Sequence, residues 1–396
     1  GYSSAASDVY KRQVECQVMH NRKFSIPFPL LDENETVDEY LSYIAKYKNY
    51  IDDIFLGVPF LGNNYHNPNA RYFPIDVRSR ALGKHTSECL ELLEKSRGIF
   101  KRIITMNAGV YNYSFPGLIE YVDYVLVPFV DQYAVDGVIC TDFNMACRLH
   151  ELRPDLELHT SCNCFIETPR EMEMWHDYAG ISVFNPPRDF IRRPEKLKEM
   201  RATGYKLKYL VNESCMFGCP QNKNHVMAWA VDNCEFMAQC HHNVTSNFFR
   251  GVSIVPRWLK HLDPYVDIYK ISGRRVPLKI FKEVFEAYFY EKDDVNMGKI
   301  TFGIRPGIYM GFLANEFPDK LLNCECKECN QCFLCDRIAR NSHKASRKLF
   351  FKKDYSEQEY RRLMHNIGYE LFMQNSQKYI AECYDNEYGE FFEVLG

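Results

Sequence analysis

Between Lys23 and Tyr290 the chain alternates eight short apolar runs with stretches of helical periodicity, and few folds accept that pattern. The candidate strands are Phe24–Pro29, Asp53–Val58, Arg102–Ala108, Asp136–Thr141, Leu156–Ser161, Ile181–Asn185, Lys206–Val211 and Asp267–Ser272. Each is short and bounded by turn-forming residues, as buried strands are. Helices are predicted over Val37–Tyr47 behind Thr36, Ser87–Ser96 behind Thr86 and Phe143–Leu152 behind Asp142, where the preceding polar side chain can accept from orphan backbone N–H groups. Pro194–Ala202 opens with proline in the first turn, where no donor is lost. The segment Pro116–Tyr133 carries a YVDYVLVPFV core that also reads as a strand; it is taken as the helix between the third and fourth strands. Eight strand–helix units over about 250 residues predict an α/β fold, a TIM-like (β/α)8 barrel. A doubly wound open sheet shares the alternation, and periodicity does not separate the two.

The 396 residues leave room for an appendage beyond one barrel. Residues 1–18 are expected to be a leader outside the fold. Their first 13, GYSSAASDVYKRQ, read as adapter-derived sequence without the apolar core of a signal peptide, with the native start at Met19. Residues 19–290 form the barrel. Residues 291–396 form a C-terminal extension with a Cys-rich metal knot and a basic, helical tail. Net charge is −3 with a pI near 6.5, so no global field draws the chain to nucleic acid or an anionic membrane. No run of 18 apolar residues appears, which argues against a membrane span.

Sixteen cysteines are many for a chain with no secretory signal, and metal ligation is then favoured over disulfides, with a cytoplasmic location. They fall into groups. Cys215, Cys219, Cys234 and Cys240 follow the seventh strand; six residues on a helix turn about 240° net, so Cys234 and Cys240 do not share one helix face. Cys162, or else Cys164, at a neighbouring strand end offers a substitute ligand. Cys324, Cys326, Cys329, Cys332 and Cys335 form the second group, with the last four in steps of C-x-x-C. Such spacing suits a second iron–sulfur cluster or tetrahedral zinc equally. Radical S-adenosylmethionine chemistry is set aside, because its C-x3-C-x2-C run fails at Asn222. His225, His241 and His242 read as surface or packing residues and His159 as a satisfied core residue.

Chemistry on a barrel belongs at the C-terminal ends of strands. Those ends carry Asn107, Asp142, Thr160-Ser161-Cys162, Asn185, Asn212-Glu213-Ser214-Cys215 and Gly273-Arg274. Asn107, Asn185, Asn212, Glu213 and Arg274 are the candidate catalytic residues: three amides to orient a substrate, a carboxylate, and a guanidinium able to pair bidentately with a carboxylate or phosphate. Asp142 and Thr160 read more simply as turn and cap residues. The polar loop after the second strand brings Tyr65, His66, Arg71 and Tyr72 as possible ligand contacts.

The run VDGVICTDFNMACRLHELRPDLELHTSCNCF, the Cys-bearing loop after a strand and VDIYKISGRRVPLKIFKEVFEAY resemble the peptidase U32 family over roughly Phe24 to Tyr290. The family's fourth, fifth and eighth strands read like DGVIV-D, LHAST and LKIEGR. This chain has Asp136-Gly137-Val138-Ile139, Leu158-His159-Thr160-Ser161 and Lys270-Ile271-Ser272-Gly273-Arg274. The resemblance implies a TIM-like barrel and a four-cysteine 4Fe-4S cluster, with ligand roles on Cys215, Cys219, Cys234 and Cys240. It also implies support of hydroxylation of RNA or a small aromatic substrate, the protease label coming from collagenase-like members. Where the family has a Gly-Ala pair before its first cysteine, this chain has Asn212-Glu213-Ser214, so the substrate does not carry over. An enzyme is favoured. A U32-type peptidase and a non-catalytic electron-transfer or assembly partner are the alternatives. RNA contact is conceivable through Arg188–Lys208 or Arg337–Lys353, both rich in Lys and Arg.

Overall fold

Eight parallel strands close on themselves in the order β1 (Lys23–Pro27), β2 (Ile51–Leu56), β3 (Lys101–Met106), β4 (Gly137–Cys140), β5 (Glu157–Thr160), β6 (Ile181–Phe184), β7 (Lys206–Leu210) and β9 (Ile268–Lys270), with β9 pairing back to β1. All eight fall on the predicted runs, and the closed order decides for the barrel over the open sheet. This computed structural model describes residues 22–58 except 33, 80–108, 115–225, 244–303 except 275, and 313–338 except 323 and 325–328, with the pairs 349–350 and 391–392. Of the expected leader only residues outside this set remain, and the loop with Tyr65, His66, Arg71 and Tyr72 also lies outside the described residues.

Local chemistry explains most boundaries. Thr36 caps the helix Val37–Ala45 in a capping box with Glu39. Asp142 accepts from Met145 N at 2.8 Å and starts Phe143–Leu152. The helix placed behind Thr86 begins earlier, at Arg80, and runs to Lys95, so Thr86 lies inside it and is not its cap. Residues 115–133 are helical as expected. They widen into a π-helical turn at Val122–Leu126 just before Pro128, which has no N–H to continue the ordinary ladder.

Alternation along each strand sorts side chains between two environments. Ile54, Ile104, Val138, Leu158, Leu207 and Tyr209 join the large apolar layer between strands and helices. On the inner face Phe55, Ile103 and Ile139 make a small separate apolar cluster. Other inner positions are polar or charged, among them Ser25, Asp53, His159, Lys208 and Lys270, all buried. After β7 the chain adds β8 (Glu213–Ser214), paired in parallel with β10 (Phe302–Gly303). The described part of the C-terminal extension packs on this side: Ala314, Phe317, Leu321, Leu322 and Cys335 are buried in the main apolar layer.

Candidate functional site

The floor of the lumen is a chain of paired charges. Asp53 accepts from Ser25 Oγ at 2.6 Å and pairs with Lys208. Lys208 Nζ donates to His159 Nδ1 at 3.2 Å, which leaves the ring proton on Nε2 to donate to Glu157 Oε1 at 2.6 Å. Lys101 closes the line at 3.0 Å from Glu157, with Asp52 at 3.6 Å. Burial, and then the neighbouring Lys208, hold His159 down to about 4, so the imidazole is neutral at pH 7. Burial alone would raise the Asp53 carboxyl, but Lys208 and His159 outweigh it and keep it below the usual carboxylate range. The reading of His159 as a bonded core residue agrees with this geometry.

The mouth, at the C-terminal strand ends, is built differently. After β6, Pro186-Pro187 leads into a 3-10 turn over Arg188–Arg192. Tyr209 locks that turn by accepting from Ile191 N and donating to Arg188 O, both at 2.7 Å. Arg188, 5% exposed, pairs through Nε with Glu213 and donates through Nη2 to Asn163 Oδ1 at 2.7 Å. Its Nη1 has no partner among the described residues. Although burial disfavours its charge, Cys162, Glu213 and Cys215 all lie near enough to hold it firmly protonated. Asn185 Oδ1 and Thr141 Oγ1, at two other strand ends, are likewise buried without a hydrogen bond. The amine of Lys270, the last residue of β9, sits 4.4 Å over the Phe55 ring. Buried polar groups are almost always paired, so three atoms without a hydrogen bond at one end of a barrel make that end the candidate ligand site.

The other expected site residues are placed as follows. Asn212 braces the fold: its side chain donates to Ser272 O at 2.9 Å and Ile300 O at 3.2 Å, and accepts from Ser272 N at 2.6 Å. Asn185 spends its Nδ2 on Thr160 O at 2.6 Å. Asn107 O accepts from Asn163 Nδ2 at 3.2 Å. Arg274 donates to Thr105 Oγ1 at 2.5 Å and lies 6.0 Å from the Phe55 ring, inside the mouth. Arg188 and Arg192 of the basic run 188–208 are buried, and Arg192 donates to Phe249 O at 2.9 Å and Gly251 O at 2.7 Å, so neither presents charge to a long polyanion.

Cys215 stands where the β7 loop meets a second strand-like segment: Val252 N donates to its carbonyl at 2.8 Å, and Ile254 N to Val211 O at 3.1 Å. Cys219 follows one turn later, and Cys234 and Cys240 lie outside the described residues. Cys164 donates to Cys140 O at 3.3 Å and burial pushes its thiol well up, so it stays protonated. In the second group Cys324, Cys332 and Cys335 line one small cavity with Arg250 and Asp336, which pair at 2.9 Å. Phe333, with φ of 49°, breaks the helical turn between Cys332 and Cys335. Cys326 and the side chain of Cys329 are outside the described set. The two groups are neighbours through one residue, since Arg250 O also accepts from Phe217 N at 3.1 Å, between Cys215 and Cys219. Among the described residues no three His, Cys, Asp or Glu side chains stand close enough to hold a metal ion. The donor chemistry nonetheless fits in kind: soft thiols follow a strand end, with an incompletely paired buried guanidinium beside Cys215 to offset an anionic centre.

Sequence reasoning missed Arg188, Asp53, Lys208 and Lys270. The signal was there for the last three: charged residues at alternate positions inside strands of a closed barrel have no solvent face to occupy.

The model of peptidase family U32 matches residues 40–217. A protein of Methanocaldococcus jannaschii described as uncharacterized protease MJ1657 is 26% identical over 205 residues, which are 48% of this chain and 61% of the relative. The match thus spans less than two thirds of that protein's length. Among solved structures, the U32 peptidase Mk0906 aligns with TM-score 0.40 at 14% identity, covering 64% of this chain and 94% of that one. The tryptophan synthase α subunit of Legionella pneumophila aligns with TM-score 0.36 at 12% identity, covering 72% and 91%. The barrel rests on its own closed strand order. No described helix is long and apolar enough to cross a membrane.

Proposed function

For a chain whose residues 40–217 match the model of peptidase family U32, we propose modification chemistry of the hydroxylating kind, on an RNA base or a small aromatic anion drawn into the barrel mouth. A 4Fe-4S cluster is assigned to Cys215, Cys219, Cys234 and Cys240. Bound there, it supplies one-electron chemistry at the rim. The observation that carries this reading is Arg188: nearly fully buried, paired on two of its three nitrogens, and beside Cys162 and Cys215. Its remaining donor, with Arg274, orients an anionic substrate group, and Asn185 Oδ1 accepts from a ring N–H or hydroxyl. The Phe55 ring gives an apolar surface beneath Arg274.

A peptidase is the second reading, carried by the printed names of the relatives. A hydrolytic nucleophile needs a base within reach and a path to substrate. Among the described residues, Cys89 Sγ contacts His85 Nε2 at 3.6 Å, and Cys89, within helix 80–95, is fully buried. A purely electron-carrying or assembly role would leave the unpaired mouth groups without a purpose. The knot of Cys324, Cys326, Cys329, Cys332 and Cys335 is proposed to hold a second iron–sulfur cluster or zinc, bracing the Cys215 loop through Arg250.

Anaerobic purification with iron, sulfide and zinc analysis and EPR tests the reading on the intact chain, Cys215→Ala and Cys332→Ser. The expected result is an iron–sulfur spectrum lost in Cys215→Ala and kept in Cys332→Ser. Colourless, iron-free protein throughout would sink the cluster. For the substrate, cells expressing the chain should yield a nucleoside or aromatic acid heavier by one oxygen, and cells expressing Arg188→Gln should not.

A further inference from the structure

The geometry points to Cys162 as a ligand of the same centre as Cys215 and Cys219, in the place given above to one of Cys234 and Cys240. The inference rests on the proposed cluster and adds to it a thiol from a different strand end. Cys162 opens the 3-10 turn Cys162–Cys164 that follows β5, and Ser161 starts that turn by accepting from Asn163 N at 3.2 Å. With three residues per turn, side chains two positions apart point about 120° away from each other, so Cys162 and Cys164 do not face the same space. Cys164 Sγ is turned back on the barrel wall, 3.3 Å from Cys140 O and 3.8 Å from Thr141 O. Cys162 Sγ lies 3.8 Å from Asn163 Oδ1, the same oxygen that accepts from Arg188 Nη2 at 2.7 Å.

Arg188 joins this turn to the loop that carries Cys215. It pairs with Glu213, two residues before Cys215, and Cys162 and Cys215 both lie near enough for their charge to act on it. Two aromatic contacts tie the loops together independently of that pair. Lys223 Nζ, one turn past Cys219, sits 5.2 Å over the ring of Phe165, the residue that ends the Cys162 turn. The Phe217 ring, between Cys215 and Cys219, lies 5.5 Å from the guanidinium of Arg192 and 5.3 Å from that of Arg193. The loops after β5, β6 and β7 are thereby held side by side, with Arg188 between the two that carry cysteines.

Two features suit this place to a centre held by thiols. Arg188 Nη1 has no hydrogen bond among the described residues, although its Nε and Nη2 are both bonded and the side chain is nearly fully buried. A donor left so is met by a group that the described protein atoms do not supply. Cys162 is half-buried, so its sulfur can be reached, as a ligand must be. Ligation takes no oxidant or reductant: each thiol gives up its proton, and a sulfur lone pair goes to iron. A single ion needs three donors closer together than any are among the described residues, whereas a cluster of several iron atoms reaches its thiolates over a wider span. A substrate group held by Nη1 then lies against the cluster.

Differential alkylation of the full chain tests it, with iodoacetamide as the anaerobic probe, before and after iron is stripped with ferricyanide and EDTA, read by peptide mass mapping. In the loaded chain Cys162, Cys215 and Cys219 should label at least about tenfold more slowly than in the stripped chain, because sulfur bound to iron is a poor nucleophile. Cys164, turned to the wall, and Cys147, on the helix Phe143–Leu152, should change by less than about twofold. Cys162 labelling equally fast in both states while Cys215 is protected overturns the inference and leaves the cluster standing. Equal protection of Cys162 and Cys164 is burial of the whole turn and overturns it too. An iron-free chain with no protection at Cys215 overturns the cluster itself. Among variants, Cys162→Ala should lose the iron and the EPR signal as Cys215→Ala does, and Cys164→Ala should keep both. Full iron and an unchanged spectrum in Cys162→Ala overturn the ligand, and the alkylation comparison needs no variant to fold.

Discussion

The floor and the mouth of one lumen, a few residues apart along the same strands, follow opposite rules. On the floor Ser25, Asp53, Lys208, His159, Glu157 and Lys101 hand hydrogen bonds and charge along a line. At the mouth Thr141, Asn185 and Arg188 each keep a polar atom with no hydrogen bond among the described residues. The residues of both regions are largely buried, and beside the floor line Asp52 Oδ2 is itself without a hydrogen bond among the described residues. A buried polar group costs stability unless paired, and a fold keeps that cost where something else is to supply the partner. The comparison teaches that the floor's charges largely satisfy one another, whereas several polar atoms at the mouth do not.

Breaking the floor should have the largest effect. Asp53→Ala leaves Lys208 buried without its counter-ion and is expected to cost about 3–5 kcal/mol in urea unfolding. A loss below 1 kcal/mol would mean the network is not structural. Next comes acid. His159 has its folded pKa depressed to about 4, so its contribution is full above the unfolded value of 6.5 and is lost as pH falls through 4. That slope should total about 3 kcal/mol and be absent in His159→Gln. Smallest of all, Thr141→Val at the mouth removes a hydroxyl that bonds nothing described and should change stability by less than about 0.5 kcal/mol, in either direction. A clear loss there would show that the hydroxyl has a partner and would blur the contrast.

The barrel was legible because its strands are apolar on the outer face in every repeat, and a period of two survives any loop sequence. Helix starts were legible where the cap is a single side chain, as with Thr36 and Asp142. Thr86 misled because a threonine inside a helix looks the same as one before it, and the true start lies at Arg80. The site was only half legible. Glu213, Arg274 and Cys215 follow strands, where position alone nominates them. Lys208 and Lys270 sit within strands, and their importance depends on neighbours from β2 and β5 that only closure of the barrel brings alongside. Arg188 looked like one member of a basic run, and its role depends on the turn that Tyr209 locks. No spacing rule tied Cys215 to Cys335 through Arg250 either, because that contact joins segments far apart in the chain.

Urea midpoints of Lys208→Met and Lys270→Met at pH 7, set against the unmutated chain, test the contrast between floor and mouth most directly. Replacing Lys208 strands the Asp53 carboxylate and should lower stability by about 3–5 kcal/mol. Replacing Lys270 should raise it, by on the order of 2 kcal/mol, because folding now depresses that amine from 10.5 to about 7 and Met carries no such cost. That gain should shrink as pH rises towards 10, where the unfolded lysine loses its proton as well. Opposite signs for the two substitutions are the predicted result. Equal losses at both positions would contradict it and make Lys270 one more structural lysine.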